Sequence, residues 1–179
     1  DLAQSMKADI SGLIRVSDRP TTVKTRFLAG HQQLLRADFE RTGPLEEVAQ
    51  SQILTHAKRM IGEVQALILS DYGKGVLSDT VLRDLIALAK KAGIPVIVDP
   101  KGRDYSRYAG ADIATPNRKE LSEAAGGAGT ETDEQVVAAA QAVLRESGLK
   151  AILATRSADG LSLIRRDAGG HYRGQKQIW

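Results

Sequence analysis

The chain contains no cysteine in its 179 residues. This absence excludes disulfide bonds, thiolate metal sites and a cysteine nucleophile, and it suits a reducing compartment, so we expect a cytoplasmic protein. The three histidines, His31, His56 and His171, lie far apart without the spacing of metal ligands, and we expect them to be structural or exposed. No apolar run approaches the length of a membrane span. The sequence therefore indicates neither membrane insertion nor a histidine or thiolate metal site.

The overall composition is that of an ordinary soluble globular domain. Hydrophobic residues make up 42% of the chain and charged residues 26%, enough apolar material for one full core. The net charge of +3 comes from scattered residues, and basic pairs such as Lys90-Lys91 are too short for a nucleic-acid patch. We expect neither nucleic acid nor membrane as a partner. Because the chain opens at Asp1 without Met and stops at Trp179 after a strand-like segment, we expect a piece of a longer protein.

The order of the predicted elements indicates an α/β fold with a small antiparallel appendage. Alternating apolar and polar residues in 10–40 predict half-exposed strands joined by turns. Over 44–179, helical spacing alternates with continuous apolar runs, which is typical of parallel βαβ units. In chain order this part predicts a helix through Met60, a strand at 66–69, a helix from Ser78 to Gly93, strands at 96–98 and 112–114, helices at 117–125 and 133–147, and strands at 151–154, 161–164 and 171–179. We therefore expect a mostly parallel sheet flanked by helices.

Polar clusters follow four of the predicted strands at the point where each strand ends. They occupy residues 71–74, 99–102, 117–120 and 155–160. Because ligands of open parallel sheets bind beyond the carboxyl ends of the strands, we expect these clusters to meet at one edge. Aspartate, lysine and small hydroxyl side chains suit phosphate or Mg²⁺, so a site is favoured over four unrelated loops. Asp71 and Asp99 lead two of the clusters and are candidates for contacts to substrate.

The first cluster contains Gly73-Lys74-Gly75 between a strand and a helix, which invites comparison with a phosphate-binding loop. The Walker pattern needs a glycine six residues before its lysine, where Ile68 stands, and a hydroxyl residue directly after it, where Gly75 stands. We therefore reject a Walker loop here.

Asn117 and Glu120 admit two interpretations. Pro116 ends the preceding strand, and Asn117 with Glu120 three residues later is typical of a capping pair at a helix start. Alternatively, both side chains hold a hydrated Mg²⁺ and the phosphates that it carries, since hard cations take oxygen ligands and helix N-termini favour anions. The pair alone favours the cap, whereas the neighbouring polar clusters favour the metal site.

Five segments resemble those of the ribokinase-like sugar kinases. They are Ser-Asp-Tyr-Gly-Lys-Gly at 70–75, Asp-Pro-Lys-Gly at 99–102, Thr-Pro-Asn-Arg-Lys-Glu at 115–120, Thr-Arg-Ser-Ala-Asp-Gly at 155–160, and Gln32-Gln33 with Arg-Ala-Asp-Phe-Glu at 36–40. Within that superfamily they look most like the bacterial D-glycero-β-D-manno-heptose 7-phosphate kinases, which are often fused to an ADP-heptose synthase domain. The resemblance covers nearly all of the chain. It implies a ribokinase-like fold in which residues 10–40 belong to a β lid that often pairs subunits, so we expect a homodimer through the lid.

The activity that this resemblance implies is transfer of the γ-phosphoryl group of ATP to the anomeric hydroxyl of the heptose phosphate. The product would be the 1,7-bisphosphate on the route to the heptose of the lipopolysaccharide core. Asn117 and Glu120 match the family's Asn-x-x-Glu, which organises Mg²⁺ and phosphates. ATP and Mg²⁺ are therefore the expected cofactors, with Mg²⁺ held through water.

The resemblance also implies roles for two further groups of residues. The family's nucleotide-binding strand end is matched by Thr155, Arg156, Ser157 and Gly160. Candidates for the sugar phosphate or the transferring phosphates are Lys74, Lys101, Arg26 and Arg36. A solvent-facing role is the alternative for each of these four cations, since cations on strand edges and loops are common.

Two parts of the family pattern are absent from this sequence. The Gly-Ala-Gly-Asp stretch with the catalytic base would begin just after Trp179, and the amino-terminal segment with sugar-binding Asp and Gly-Gly residues is missing. Phosphoryl transfer depends on positioning and electrostatic stabilisation, so we expect residues 1–179 alone to be inactive. The alternatives are a kinase for fructose phosphate, ribose or a nucleoside, and a non-catalytic α/β binding module whose strand-end clusters are ordinary loops.

Overall fold

The computed structural model describes residues 5–166 and 168–172, which form a two-stranded ribbon, a six-stranded sheet and four α-helices. The ribbon comes first in the chain, and the helices and the larger sheet follow it. The predicted α/β class with a small antiparallel appendage is confirmed.

The ribbon pairs β1 (Val23–Ala29) with β2 (Gln32–Phe39) in antiparallel register. Gly30 has a φ of 59° in the connecting turn, a left-handed conformation that suits a residue without Cβ. Every residue of both strands is exposed, so the expectation of half-exposed strands is wrong for this chain by itself. The strands also occupy only the later part of 10–40, because turns around Pro20 keep residues 10–22 out of any strand.

The first βαβ unit follows helix α1 (Glu47–Met60) and consists of β3 (Leu67–Ser70), α2 (Asp79–Ala92) and β4 (Val96–Asp99). The Ser78 hydroxyl accepts the Val81 amide at 3.3 Å and begins α2. Gly93 ends α2 with a φ of 73°. Strands β3 and β4 are parallel, with Leu67 opposite Val96. The predicted helix and strand pair is therefore confirmed, with shifts of about one residue at the ends.

The rest of the layer contains β5 (Ile113–Ala114), α3 (Arg118–Ala124), α4 (Asp133–Ser147), β6 (Ala151–Thr155), β7 (Leu161–Arg165) and β8 (Gly169–Tyr172). Helix α4 has the predicted bounds because Thr132 and Gln135 form a capping box at its start and Gly148, with a φ of 72°, stops it. The predicted last strand, 171–179, starts two residues earlier than expected. Residues 173–179 lie outside the described residues.

Strands β3 to β8 lie in chain order across the sheet. The first four are parallel, and β6, β7 and β8 pair antiparallel as successive hairpins. Helices α2 and α4 contribute many of the fully buried residues, including Val81, Leu82, Val136 and Ala140. In the described ranges, no helix combines the length and apolarity needed to cross a bilayer. The four parallel strands, β3 to β6, therefore have their carboxyl ends at one edge of the sheet.

Candidate active site

The carboxyl ends of β3, β4, β5 and β6 lie side by side. The Asp71 amide donates to the Asp99 carbonyl at 2.9 Å, which joins the first two strand ends. Strands β4 and β5 are paired in parallel, so the third end lies next to the second. The Thr155 amide donates to the Pro116 carbonyl at 2.8 Å, and Asn117 forms a parallel bridge with Thr155. All four predicted clusters therefore meet at one edge of the sheet.

Asn117 and Glu120 form a capping box at the first turn of α3. The Asn117 Oδ1 atom accepts the Glu120 amide at 3.0 Å, and Glu120 Oε2 accepts the Asn117 amide at 3.1 Å. The capping interpretation is therefore confirmed. The other carboxylate oxygen, Glu120 Oε1, accepts a hydrogen bond from Lys101 Nζ at 3.1 Å. The cap thus uses one oxygen of Glu120 and leaves the second one facing a cation of the neighbouring cluster.

The turn after β6 is held against the start of α3. Ser157 has a φ of 53° and Gly160 a φ of 86°, so the backbone reverses tightly between them. Asp159 in this turn pairs with Arg118, the first residue of α3, at 2.5 Å. Thr155 and Ser157 are exposed at the same place. The predicted nucleotide-binding turn therefore lies directly beside the Asn117 cap.

Arg156 differs from its neighbours in this turn because its side chain is buried, with 6% exposed. Its guanidinium donates to the Ser162 hydroxyl at 3.0 Å and pairs with Asp133, at the start of α4, at 2.6 Å. Its backbone amide donates to the Gly160 carbonyl at 2.8 Å and closes the turn. The side chain of Arg156 therefore holds the turn to β7 and α4, and does not lie at the surface where a nucleotide would bind.

Asp71 also turns inward. Its side chain is only 3% exposed, and one oxygen accepts the Gly73 amide at 2.7 Å. The other oxygen accepts the Tyr108 hydroxyl at 2.8 Å and the Arg107 guanidinium at 3.1 Å. These contacts favour a structural role for Asp71 over the predicted contact to substrate. No local sequence pattern singles out Arg107 or Tyr108, because nothing in their loop indicates which strand end they contact.

Lys74 joins the base of the ribbon to the sheet edge. Its ammonium group forms an ion pair with Glu40, whose side chain is 13% exposed. Arg19 donates to the Gly43 carbonyl at 3.0 Å and to the Lys74 carbonyl, which fixes the same junction. Glu40 Oε2 is buried and has no hydrogen-bond partner among the described residues. Glu40, which the sequence offered only as part of a motif, therefore belongs to the candidate site.

Arg26 and Arg36 face each other across the ribbon. Arg36 pairs with Asp38 on its own strand at 2.8 Å. Within the part of the chain that the structure describes, no hydrogen bond or ion pair joins either arginine to the strand-end clusters. Asp99, by contrast, is exposed at the edge and accepts the Ser70 hydroxyl at 3.4 Å, a long hydrogen bond. The structure thus brings Asp99 and Lys101 to the edge and leaves the two arginines on the ribbon.

The oxygen donors at the start of α3 bear on the expected Mg²⁺. No group of three or more His, Asp or Glu side chains able to hold a metal ion occurs in residues 5–166 and 168–172. Mg²⁺ usually keeps several waters and binds through one or two carboxylates together with substrate phosphates. One half-buried carboxylate, Glu120, beside the amide oxygen of Asn117 fits an ion of that kind. The residues therefore fit Mg²⁺ that arrives with a nucleotide, and not an ion held by protein groups alone.

Comparison with known families agrees with this geometry. Residues 2–178 match the profile of the pfkB family carbohydrate kinases. The chain belongs to the pfkB family. The match covers almost the whole sequence, including the ribbon and all four strand-end clusters, so the resemblance to sugar kinases is confirmed.

Several curated relatives of this pfkB-family chain carry the name Bifunctional protein HldE. The one from Paramagnetospirillum magneticum is 54% identical over 83% of this chain and 30% of its own length. The one from Rhodospirillum rubrum is 52% identical over 84% of this chain and 30% of its own length. The chain therefore spans about a third of the length of the relatives that it matches.

Solved structures confirm the ribokinase-like fold of the pfkB-family chain. The crystal structure of Sa239 matches with a TM-score of 0.78 at 16% identity, covering 97% of this chain and 55% of that one. Arabidopsis thaliana ribokinase complexed with ribose and ATP matches with a TM-score of 0.63 at 21% identity, covering 87% and 49%. At such identities the likeness establishes the fold alone.

Proposed function

We propose that this chain is the central part of one sugar-kinase domain that phosphorylates D-glycero-β-D-manno-heptose 7-phosphate. In the proposed reaction the heptose O1 hydroxyl attacks the γ-phosphorus of ATP. The hydroxyl gives its proton to a base, and ADP leaves, so that the products are ADP and the 1,7-bisphosphate. The base is expected beyond Trp179, and the amino-terminal sugar-binding segment is also expected outside residues 1–179. A cytoplasmic location, where ATP is available, is part of the same proposal.

The observation that carries this proposal is the convergence of four polar strand ends at one edge of a parallel sheet. Lys101 Nζ and Glu120 Oε1 lie 3.1 Å apart across two of those ends, at the N-terminus of α3. Cations and a helix N-terminus stabilise the negative charge of phosphates, which is what catalysis of phosphoryl transfer mainly requires. The relatives named HldE and the five matching segments support the heptose phosphate as the sugar.

Each group of residues has a proposed task at this edge. Asn117 and Glu120 would hold Mg²⁺ through water, and bound Mg²⁺ would neutralise charge on the phosphates of ATP. Thr155, Ser157 and Gly160, with the backbone of Arg156, would contact the nucleotide at the turn after β6. Asp99, Lys74 and Lys101 would face the sugar phosphate or the transferring phosphates. Arg26 and Arg36 would contact the sugar phosphate or the transferring phosphates from the ribbon.

A coupled assay of ADP release tests the proposed reaction. We expect the complete protein to release ADP with heptose 7-phosphate, at a kcat/KM at least about tenfold above that with fructose 6-phosphate, ribose or a nucleoside. Residues 1–179 alone should give no turnover, since the expected base lies beyond them. Faster turnover of another sugar would contradict the substrate. Absence of turnover with every sugar, together with no heat of MgATP binding in calorimetry, would favour a non-catalytic binding module.

The ribbon supports a second part of the proposal, a homodimer formed through the lid. Alternate residues on one face of the ribbon are mainly apolar and exposed, namely Val23, Thr25, Phe27, Leu35, Ala37 and Phe39. Phe27 is 50% and Phe39 69% exposed. A two-stranded ribbon is marginal by itself and gains stability when such a face is covered. A second copy of the same face supplies an apolar cover of matching shape.

Replacing Phe39 with Lys should therefore convert the complete protein from dimer to monomer in sedimentation velocity, because a charge would enter the apolar interface. Leu28→Lys is the matched control, since Leu28 is 62% exposed and lies on the opposite face of the same ribbon. A dimer that survives Phe39→Lys, or one that Leu28→Lys disrupts equally, would contradict pairing through this face.

The length of the HldE relatives also supports a further nucleotidyltransferase domain in the complete protein.

A further inference from the structure

Two tyrosines in the loop before β5 are buried to the same degree but differ in what their hydroxyl groups contact. Tyr105 is 3% exposed and Tyr108 is fully buried, and their rings meet edge to face with centroids 5.9 Å apart. The Tyr105 hydroxyl has no hydrogen-bond partner among the described residues. The Tyr108 hydroxyl has three possible partners, all of them at strand ends. Removing the hydroxyl from each tyrosine in turn therefore distinguishes the effect of its hydrogen bonds from the effect of altering a buried ring.

The Tyr108 hydroxyl lies between the ends of β3 and β4. It is 2.8 Å from Asp71 Oδ2 and 3.1 Å from both the amide and the carbonyl of Lys101. A hydroxyl has one proton, and the charged carboxylate is the closest and strongest acceptor. The phenol therefore donates to Asp71 and accepts the Lys101 amide. Burial is the main cause that raises the pKa of Tyr108, so this proton stays in place.

Several contacts hold the ring and the lysine in a single arrangement. The Arg107 guanidinium carbon lies 5.6 Å from the Tyr108 ring centroid, and the same guanidinium pairs with Asp71. A Cβ atom built on Gly73 would lie 3.2 Å from Lys101 Cγ, so the absence of a side chain there leaves room for the lysine stem. From this fixed backbone the Lys101 side chain extends to Glu120 Oε1.

We propose that Tyr108 is a positioning residue, whose buried hydroxyl fixes the Lys101 backbone so that its ammonium group lies beside Glu120 where the Mg²⁺-bound phosphates of ATP bind. This inference rests on the proposed kinase function. Tyr108 itself contacts no substrate, since it is fully buried beneath the strand ends. Its effect on phosphate binding must therefore pass through Lys101.

The test compares Tyr108→Phe with Tyr105→Phe in the complete protein. Loss of one well-made hydrogen bond should raise the KM for MgATP about five- to tenfold in Tyr108→Phe. Tyr105→Phe removes a hydroxyl that has no hydrogen-bond partner among the described residues. It should leave KM within about twofold of wild type. Hydrogen exchange followed by mass spectrometry should show faster exchange of the Lys101 amide in Tyr108→Phe only, since its acceptor is gone.

A double-mutant cycle distinguishes positioning from a merely structural role. In a Lys101→Met background the further change Tyr108→Phe should alter KM less than about twofold, because the group that it positions is absent. If the KM of the double variant rose by the product of the two single-variant increases, the inference would be overturned. An unchanged KM in Tyr108→Phe alone would also overturn it. Either result would leave the kinase proposal intact. A wild-type protein that phosphorylates no sugar would refute the proposed function and this inference together.

Discussion

Replacing Glu120 with Gln in the complete kinase is expected to raise the Mg²⁺ concentration that gives half-maximal rate by about 10- to 100-fold, the usual cost of losing an outer-shell partner of a metal. Glutamine keeps an oxygen that can accept the Asn117 amide, so the capping box survives. The negative charge 3.1 Å from Lys101 Nζ is lost. Because a cap needs only an oxygen whereas Mg²⁺ needs charge, initial rates measured against Mg²⁺ at fixed ATP separate the two roles.

Glu123 provides the control for this experiment. It lies one turn further along α3 and pairs only loosely with Lys119, at 3.9 Å on the surface. Glu123→Gln should change neither the Mg²⁺ dependence nor the melting temperature. Glu120→Gln should share that melting temperature, which would show that its kinetic loss is not a loss of folded protein. Identical Mg²⁺ dependence in the two variants would leave Glu120 as a helix cap and nothing more.

The sheet edge was predictable because local signals and topology agree there. Ser78 and Thr132 cap helices, Gly93 and Gly148 end them, and the apolar runs between them are continuous. Such signals fix the alternation of strand and helix, and parallel pairing then brings the strand ends together without further information. The short β5 follows from the same reasoning, since Pro116 cannot continue a central strand.

The direction of individual polar side chains at that edge was not predictable. Asp71 and Asp99 end neighbouring strands and look alike in sequence, yet one is buried and the other exposed. What decides between them is Arg107 and Tyr108, which lie 36 and 37 positions from Asp71 in the chain. Arg156 turns inward for a comparable reason, because its partner Asp133 belongs to another element. Contacts with residues that are distant in the chain cannot be predicted from the neighbouring sequence.

The structure gives a physical reason for the glycine at position 75 that the sequence alone does not show. A Cβ atom on Gly75 would lie 1.9 Å from the Gly43 carbonyl oxygen, so this position must be glycine for the segment before α1 to pack. The spacing around Lys74 does not match a Walker loop, and the close backbone approach gives Gly75 a structural reason. The alternation in the ribbon, in contrast, correctly indicated one apolar face but could not show that nothing in the described residues covers it.

Replacing Asp71 with Ala is expected to destabilise the kinase domain by about 3 kcal/mol, at the lower end of the cost of breaking a buried ion pair. The change leaves the buried Tyr108 hydroxyl and the Arg107 guanidinium without their carboxylate. The smaller loss of stability is expected because the Arg107 side chain is 25% exposed and retains its ion pair with Asp79 at 2.9 Å. For a domain of this size the loss corresponds to a fall of roughly 6–12 °C in melting temperature, which calorimetry of the complete protein would measure.

Asp99→Ala is the matched change on the neighbouring strand. Asp99 is exposed, and within the described residues its side chain makes one long hydrogen bond, from Ser70 at 3.4 Å. Its stability should stay within about 0.5 kcal/mol of wild type, as for most surface substitutions. Its kcat/KM should fall, since Asp99 is proposed to contact substrate. The two variants would then differ in kind, because Asp71→Ala would lower stability whereas Asp99→Ala would lower kcat/KM. Equal melting temperatures for both variants would show that the contacts of Asp71 with Arg107 and Tyr108 do not stabilise the edge.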